Sequence, residues 1–496
     1  MKKIGLTWLQ ERYRIEGYQL THESYIGSID KIELSSRNTI IQIFKSKYDV
    51  STDNPLLHLE FALKYDDLNL AFIKEIFDYI SNETLSDFIN EKPNRKYVRI
   101  IGYLYEFITG KIIDVKLTTT NYIDLIDANK YIVGDIEKIT KWKINDNLLG
   151  TNNFCPIIRK TTELDEVLKL NVAKEIEDLE KKYSRDIFKR ASYYLYKKET
   201  KSSNEIEQEK PSLDRVEKFI SLLEEAGQKS LEEALSESEL VRLQNAIVDR
   251  RYANRSFRNF QNYVGQTLRD ASQKIHYICP PPQYVRELIY GLTSLGQKNT
   301  ATSAVIKATM VSFGFVYIHP FEDGNGRIHR FLIHDILVRD GIVPNSTILP
   351  VSAQILTRMV EYDTTLEVLS KLVGRKAKYD LDEDSEMTVL NPSEIKALYQ
   401  YPDLTNHAVF LSKAIQTTIS KDIPEELLFL QRYDELKKDI VSIVDMPDRK
   451  VDKMILFLHQ NKGRLVSRKR KLYTELKNSE IEKMEKAYRD VFTEGL

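Results

Sequence analysis

One segment of the chain, residues 302–316, places apolar side chains on nearly every face of a helix. Such a helix has to be enclosed by other elements, because none of its faces is suited to water. The segment therefore predicts a central helix with the rest of the fold packed around it. A second helix is predicted from Arg327 to Arg339, where apolar residues recur at spacings of three and four, and Gly341 follows as a stop signal.

The composition agrees with a folded, mainly α chain. Hydrophobic residues make up 42% and charged residues 30% of the 496 residues, with only 18 Gly and 14 Pro. At about 100–200 residues per domain, this length corresponds to roughly two to four domains. The net charge of -1 gives no overall field that would hold the chain on nucleic acid or on an acidic membrane.

The two cysteines, Cys155 and Cys279, are too few for a disulfide framework and do not follow a metal-binding spacing. The apolar stretch after Met1 ends too soon for a signal-peptide core, and no run of about 18 apolar residues occurs. These observations predict a cytoplasmic protein without a membrane span.

Changes in composition divide the chain into four expected parts. They are a mostly helical domain, a set of connecting helices, a helical core with a β-hairpin, and a linker with a helical region behind it, at residues 1–160, 161–226, 227–374 and 375–496. Within the connecting helices, Pro211 and Ser212 mark the start of a helix that runs through Glu225.

The hairpin is predicted by two short apolar segments, residues 261–265 and 275–279, on either side of a polar stretch. It is expected to be the only hairpin in a helical neighbourhood. The charged stretch from Arg375 to Glu386 predicts an exposed linker.

The loop between the two predicted helices carries groups suited to a polyphosphate. Gly324, Asn325 and Gly326 stand just ahead of a helix, where positive φ angles would point backbone N–H groups into an anion-binding concavity. The helix N-terminus adds partial positive charge. Arg327 and Arg330, three residues apart, would project from one helix face and bracket further negative charge.

Two more residues of the same loop complete a reactive set. Asp323 is the carboxylate placed to hold a hard cation such as Mg²⁺ against phosphates. His319, at the end of the central helix, could take a proton from an incoming hydroxyl group. Each signal is weak alone, but all of them fall within residues 319–330.

The string from His319 to Arg330 resembles the HPFxxGNGRxxR signature of the Fic (Fido-fold) family, with every fixed position present. That family transfers AMP from ATP to hydroxyl side chains of target proteins. The resemblance covers roughly Thr200 to Leu369 and implies a Fido-fold helical core whose hairpin is a substrate-docking flap. It also implies an adenylyltransferase that uses ATP and Mg²⁺ and modifies Ser, Thr or Tyr of a target protein or of itself.

The resemblance also implies a role for each matching residue. His319 would be the base, Phe321 would anchor the loop in the core, and Asp323 would bind Mg²⁺. The α- and β-phosphates would be held by Gly324, Asn325, Gly326 and Arg327, and the γ-phosphate by Arg330. Tyr362 would lie near the nucleotide or serve as a core aromatic residue, and Val264 and Ile278 would belong to the flap.

A second resemblance lies in the polar segment before the core. Members of the family often carry an inhibitory helix with the pattern Ser/Thr-x-x-x-Glu-Gly/Asn, and Ser203 and Glu207 match it. Gln208 departs from the last position. The resemblance implies an autoinhibited enzyme in which Glu207 pairs with Arg330.

Two other functions are compatible with the same residues. The pocket could remove AMP from a modified protein, with Glu207 aligning a water molecule. Alternatively, the basic cluster from Arg464 to Lys471 could make the chain a nucleotide-sensing regulator that binds nucleic acid. The sequence names no target protein and does not fix the oligomeric state.

Overall fold

The computed structural model of the chain describes residues 1–35, 39–50, 52–269, 273–344 and 347–493. The fold is mainly α, as predicted. Within the described ranges, none of the helices combines the length and the apolar character needed to cross a bilayer.

The N-terminal region mixes helices with two small sheets. Its helices are α1 (Gly5–Arg12), α2 (Pro55–Tyr65), α3 (Leu70–Asp78), α4 (Asn82–Glu91) and α5 (Lys96–Thr109). Its strands are β1 (Lys2–Lys3), β2 (His22–Gly27), β3 (Lys31–Leu34), β4 (Ile40–Lys45), β5 (Ile123–Asp124), β6 (Glu137–Ile139) and β7 (Ile144–Asp146). The strand orders are β1-β2-β4-β3 and β5-β7-β6, with β2 parallel to β4.

The prediction of a mostly helical region over 1–160 missed these sheets. Helices dominate residues 55–109, but strands lie before and after them. A short apolar run such as residues 40–45 cannot be assigned by periodicity, because a buried strand and a buried helix segment look alike in sequence.

The connecting helices and the core follow in the order α6 to α16. The helices are α6 (Thr162–Val167), α7 (Val172–Lys182), α8 (Arg185–Ile206), α9 (Leu213–Glu224), α10 (Leu231–Ala234), α11 (Glu237–Ile247), α12 (Val285–Lys298), α13 (Ala304–Ile318), α14 (Asn325–Arg339), α15 (Val351–Thr357) and α16 (Met359–Lys376). As predicted, the Ser212 side chain caps α9 by accepting a hydrogen bond from the backbone N–H of Arg215.

Helix α13 is the central helix that the sequence predicts, because nearly all of its residues are buried. It packs against α14, so the loop between them is held from both sides by buried helices. The predicted hairpin is present as β8 (Tyr263–Thr267) and β9 (Gln273–Ile278), which are antiparallel. Residues 270–272 of its turn lie outside the described residues.

The stretch predicted as a linker is structured. Helix α16 continues through Lys376, and β10 (Tyr379–Leu381) pairs antiparallel with β11 (Met387–Val389). The hydroxyl of Tyr263 in β8 donates to the backbone oxygen of Ser385 at 3.1 Å. The β8–β9 hairpin is therefore accompanied by a second hairpin. Its strands have three residues each, which is too short for a pattern to show in the sequence.

Six α-helices follow within the described residues, with a π-helical turn, Thr418–Asp422, before the third of them. They are α17 (Pro392–Gln400), α18 (Thr405–Thr417), α19 (Ile423–Ile443), α20 (Asp448–Gln460), α21 (Ser467–Arg470) and α22 (Asn478–Thr493). The main hydrophobic core runs from Leu6 to Leu427, and a second, smaller core begins at Leu436 within α19. In the basic cluster near α21, Arg470 pairs with Glu485 at 3.3 Å and the Lys469 ammonium lies over the Phe457 ring.

The N-terminal region packs directly onto the core helices through Phe154, which is fully buried. A Cβ atom at Gly291 of α12 would lie 2.6 Å from the backbone nitrogen of Phe154, and one at Gly314 of α13 would lie 2.8 Å from its ring. The absence of side chains at these two positions makes room for the phenylalanine between α12 and α13.

Candidate active site

A buried phenylalanine and two hydrogen bonds within the loop fix the shape of the connection between α13 and α14. Phe321 is fully buried. The side chain of Asn325 brackets it, accepting from the Phe321 N–H at 3.1 Å and donating to the Phe321 carbonyl oxygen at 2.9 Å. Phe321 therefore lies in the core, where the sequence places it, and the Asn325 amide closes the loop on itself.

His319 ends α13 with φ of 51°, in the left-handed region. Its Nδ1 atom lies 3.1 Å from the backbone oxygen of Val316. A carbonyl oxygen only accepts, so Nδ1 carries the proton and Nε2 has the free lone pair. Burial lowers the pKa of His319 to about 4, the hydrogen bond to Val316 opposes this shift, and Arg258 adds to it. The imidazole is therefore neutral near pH 7 and able to accept a proton at Nε2.

Arg258 is a further residue of the site, and no motif in the sequence indicates it. It is buried, and its guanidinium donates to the backbone oxygens of His319 at 2.8 Å, Phe260 at 2.9 Å and Pro280 at 2.6 Å. It thereby ties the histidine turn to the segment that leads into β8 and to the end of β9. Nothing in the local sequence distinguishes this arginine from an exposed one.

Helix α14 begins immediately after the loop. Gly324 has φ of 90°, while Asn325 and Gly326 already form the first turn of the helix. The expected run of positive φ angles is thus confined to Gly324. The first turn of α14 still leaves backbone N–H groups without intrahelical partners, which is the usual basis of an anion site.

Arg327 is held by two carboxylates, although its side chain is only 1% exposed. Its Nη2 donates to Oδ1 of Asp323 at 2.9 Å. Its Nη1 donates to Oε2 of Glu209 at 2.9 Å and to the backbone oxygen of Ile247 at 3.3 Å. Glu209 also pairs with Arg215 at 2.5 Å.

Arg330 is held by the segment that resembles an inhibitory helix. Its Nε donates to Oγ of Ser203 at 2.7 Å, and its Nη2 donates to the Ser203 backbone oxygen at 2.8 Å and to Oε1 of Glu207 at 2.7 Å. A Cβ atom at Gly326 would lie 2.2 Å from Oε1 of Glu207. Glu207 therefore reaches Arg330 over Gly326, which leaves room for the carboxylate.

The end of α8 forms a Schellman motif. The N–H of Gln208 donates to the oxygen of Glu205 at 3.0 Å, and the N–H of Glu209 donates to the oxygen of Asn204 at 3.0 Å. Gln208 has φ of 56°, the left-handed conformation that this motif requires and that glycine or asparagine adopts most easily. Gln208, the residue that departs from the inhibitory-helix pattern, is thus also the residue with the strained, left-handed backbone.

Helix α8 is also anchored one turn earlier. Glu199 is buried and accepts hydrogen bonds from the backbone N–H of Ser352, at 2.9 Å, and from its hydroxyl, in the first turn of α15. Burial raises the pKa of Glu199 to about 7, while the two hydrogen bonds oppose the shift. This contact holds the helix against α15.

The remaining residues with expected roles lie around this centre. Tyr362 of α16 is buried, with its ring centroid 6.1 Å from that of His329 and 5.7 Å from that of Phe410. In the hairpin, Val264 is half-exposed and Ile278 is buried. Tyr362 thus packs in an aromatic group behind the site, and of the two hairpin residues Val264 is the one exposed at the surface.

Solved structures named as Fic proteins and curated proteins named as adenylyltransferases are similar to the chain. A Fic family protein from Desulfovibrio desulfuricans has a TM-score of 0.40 and 16% identity, and the match covers 61% of this chain and 88% of that one. A probable protein adenylyltransferase of Aquifex aeolicus is 31% identical over 163 residues, which are 30% of this chain and 50% of that protein. A protein adenylyltransferase of Caenorhabditis elegans is 35% identical over 89 residues, 18% of this chain and 16% of that protein.

The chain therefore spans half or less of the length of these two curated relatives. Residues 234–337 match the model of the Fic/DOC family. This range includes α11 to α13, the hairpin, the loop with His319 and nearly all of α14. The similarity of the chain to the Fic/DOC family therefore lies in this range.

Proposed function

We propose that the chain is a protein adenylyltransferase that moves AMP from ATP to a Ser, Thr or Tyr hydroxyl of a target protein. The observation that carries this proposal is the neutral His319, whose loop leads directly into the N-terminus of α14, the helix that carries Arg327 and Arg330. The names of the similar curated proteins support the same activity.

The chemistry is a displacement at the α-phosphorus of ATP. The target hydroxyl oxygen forms a bond to this phosphorus. The bond from the α-phosphorus to the oxygen that bridges to the β-phosphorus breaks, and pyrophosphate leaves. The hydroxyl proton goes to Nε2 of His319. Because Arg258 and Val316 fix the turn and the tautomer, the base needs no rearrangement before the transfer, and positioning of this kind is a main source of rate enhancement.

Asp323 fits a Mg²⁺ ligand on chemical grounds. Mg²⁺ in nucleotide sites is commonly held by one or two carboxylates together with substrate phosphates and water. Only Oδ1 of Asp323 is engaged among the described residues, by the Gly324 N–H and by Arg327. Its other oxygen is left for a cation, which would screen the phosphate charge.

Autoinhibition by Glu207 is part of the proposal. The carboxylate and Ser203 take up the donors of Arg330 that the γ-phosphate would use. A nucleotide bound without this contact would lie displaced, and a misplacement of about 1 Å can cost about 10²-fold in rate.

The test uses the full chain with Mg²⁺ and ATP labelled at the α-phosphate, and a matched reaction with ATP labelled at the γ-phosphate. We expect α-label on protein and no γ-label, with an AMP adduct on a hydroxyl side chain by mass spectrometry. His319→Ala is expected to bind ATP and to lose about 10²–10⁴-fold in transfer. Equal transfer by this variant, or γ-label on protein, contradicts the proposal.

A second arm offers the chain an AMP-modified protein without ATP. Release of AMP together with no transfer in the first arm would replace the proposed activity with the hydrolytic one.

A further inference from the structure

The end of α8 presents two carboxylates, and each faces a different arginine of α14. Glu207 contacts Arg330 and Glu209 contacts Arg327. The Glu209 backbone is part of the helix cap, since its N–H donates to the oxygen of Asn204 at 3.0 Å. Its position is therefore set by the same turn that sets the position of Glu207.

We infer that Glu209 is a second internal anion, which occupies the place of a phosphate on Arg327 independently of Glu207; the inference rests on the proposed function. The Arg327 side chain is 1% exposed, whereas that of Glu209 is 31% exposed, so a carboxylate at the edge of the protein covers a buried guanidinium. Its other ion pair is with Asp323, the loop carboxylate.

Arg215 of α9 holds the same Glu209 oxygen, Oε2, from the other side. A phosphate that displaced the carboxylate from Arg327 would therefore leave it paired with Arg215. An arrangement of this kind avoids the cost of an isolated carboxylate in a partly buried place. Glu209 thus occupies Arg327 when no nucleotide is bound. A phosphate can still displace it, because Arg215 keeps the displaced carboxylate paired.

The two carboxylates are expected to act against different phosphates. Arg327 is assigned to the α- and β-phosphates and Arg330 to the γ-phosphate. ADP lacks the γ-phosphate, so its binding competes with Glu209 but not with Glu207. The affinity for ADP is therefore a readout of Glu209 alone.

The experiment measures ADP-Mg²⁺ and ATP-Mg²⁺ binding to the full chain by calorimetry, for the parent, Glu209→Gln and Glu207→Gln. The side chain of glutamine has the shape of the glutamate but lacks the charge that forms the ion pair. We expect Glu209→Gln to raise ADP affinity about tenfold, since a charge-assisted contact has about this weight, and Glu207→Gln to leave ADP affinity unchanged.

Glu205→Gln is the matched control, because Glu205 lies in the same turn and its ion pair within the described part of the chain is with Lys201, at 3.7 Å. ADP affinity that is equal in the parent and in Glu209→Gln, or raised to the same extent by Glu205→Gln, overturns the inference while leaving the proposed function intact. No binding of either nucleotide in any variant overturns both. Thermal unfolding of each variant shows that the fold is retained.

Discussion

His319 donates through Nδ1 to the backbone oxygen of Val316 at 3.1 Å, within the last turn of α13. The hydrogen bond fixes the tautomer, and burial lowers the pKa of the imidazole to about 4. A lowered pKa means that the neutral, proton-accepting form persists far below pH 6.5.

We therefore expect the rate of AMP transfer to stay constant between pH 7 and pH 5.5. A histidine with an ordinary pKa would become protonated in this range, and the rate would fall. The loss should begin only near pH 5, as the imidazole becomes protonated. Initial rates of self-modification in Glu207→Gly, measured from pH 5 to pH 8 at saturating ATP, check this. A midpoint near 6.5 would mean that the base is not the buried His319.

Glu207→Gly is expected to raise self-modification with α-labelled ATP about tenfold or more, because it frees Nη2 of Arg330 for the nucleotide. Glu205→Gly introduces the same flexibility into the same turn without touching Arg330. Equal activation by both variants would assign the effect to a loosened helix end.

Gln208→Gly is expected to strengthen the inhibition. A side chain in the left-handed region costs roughly 1–2 kcal/mol, and glycine removes this cost at φ of 56°. Resting self-modification should fall by about fivefold or more, and the melting temperature should rise. Gln208→Ala keeps the strain and should change neither quantity; a rise in activity with glycine would refute the cap argument.

Arg258→Lys is expected to lower the transfer rate by about 10–100-fold, while the affinity for ATP stays as in the parent. One ammonium group cannot reproduce the guanidinium contacts to the oxygens of His319, Phe260 and Pro280, and the base would lose its alignment. Binding by calorimetry and single-turnover transfer separate the two effects. Weaker ATP binding at an unchanged transfer rate would mean that Arg258 supports nucleotide binding and does not align His319.

Glu199→Gln is expected to reduce the pH dependence of stability. Because the pKa of Glu199 is raised from 4.5 to about 7, the folded state binds the proton more tightly than the unfolded state. This stabilisation is complete below pH 4.5 and is lost as the pH rises through 7, by roughly 3 kcal/mol. Melting temperatures at pH 5 and pH 8 should differ less in the variant, and an equal difference would contradict the assignment.

The candidate groups of the loop could be recognised from the sequence because they are nearly consecutive. His319, Asp323 and Arg327 need only the end of one helix and the start of the next to come together. The mainly α fold follows from the same two helices, since apolar residues on all faces of α13 admit no other placement.

Contacts between distant segments could not be predicted in this way. Arg258 and Glu199 are charged residues in unremarkable surroundings, and only the packed structure buries them. The pairing of Glu209 with Arg327 joins residues 118 positions apart. The strands near residues 22–45 were missed because short apolar runs carry no period.

Phe154 fills the space that Gly291 and Gly314 leave between α12 and α13. The three residues therefore pack as one unit, although they lie in two regions of the chain. Recombination between relatives at a breakpoint near residue 160 would separate the phenylalanine from its glycines and either open a hole in the core or create a clash. The small core that begins at Leu436 is a separate cluster, so an exchange of the helices after it would leave this packing in place.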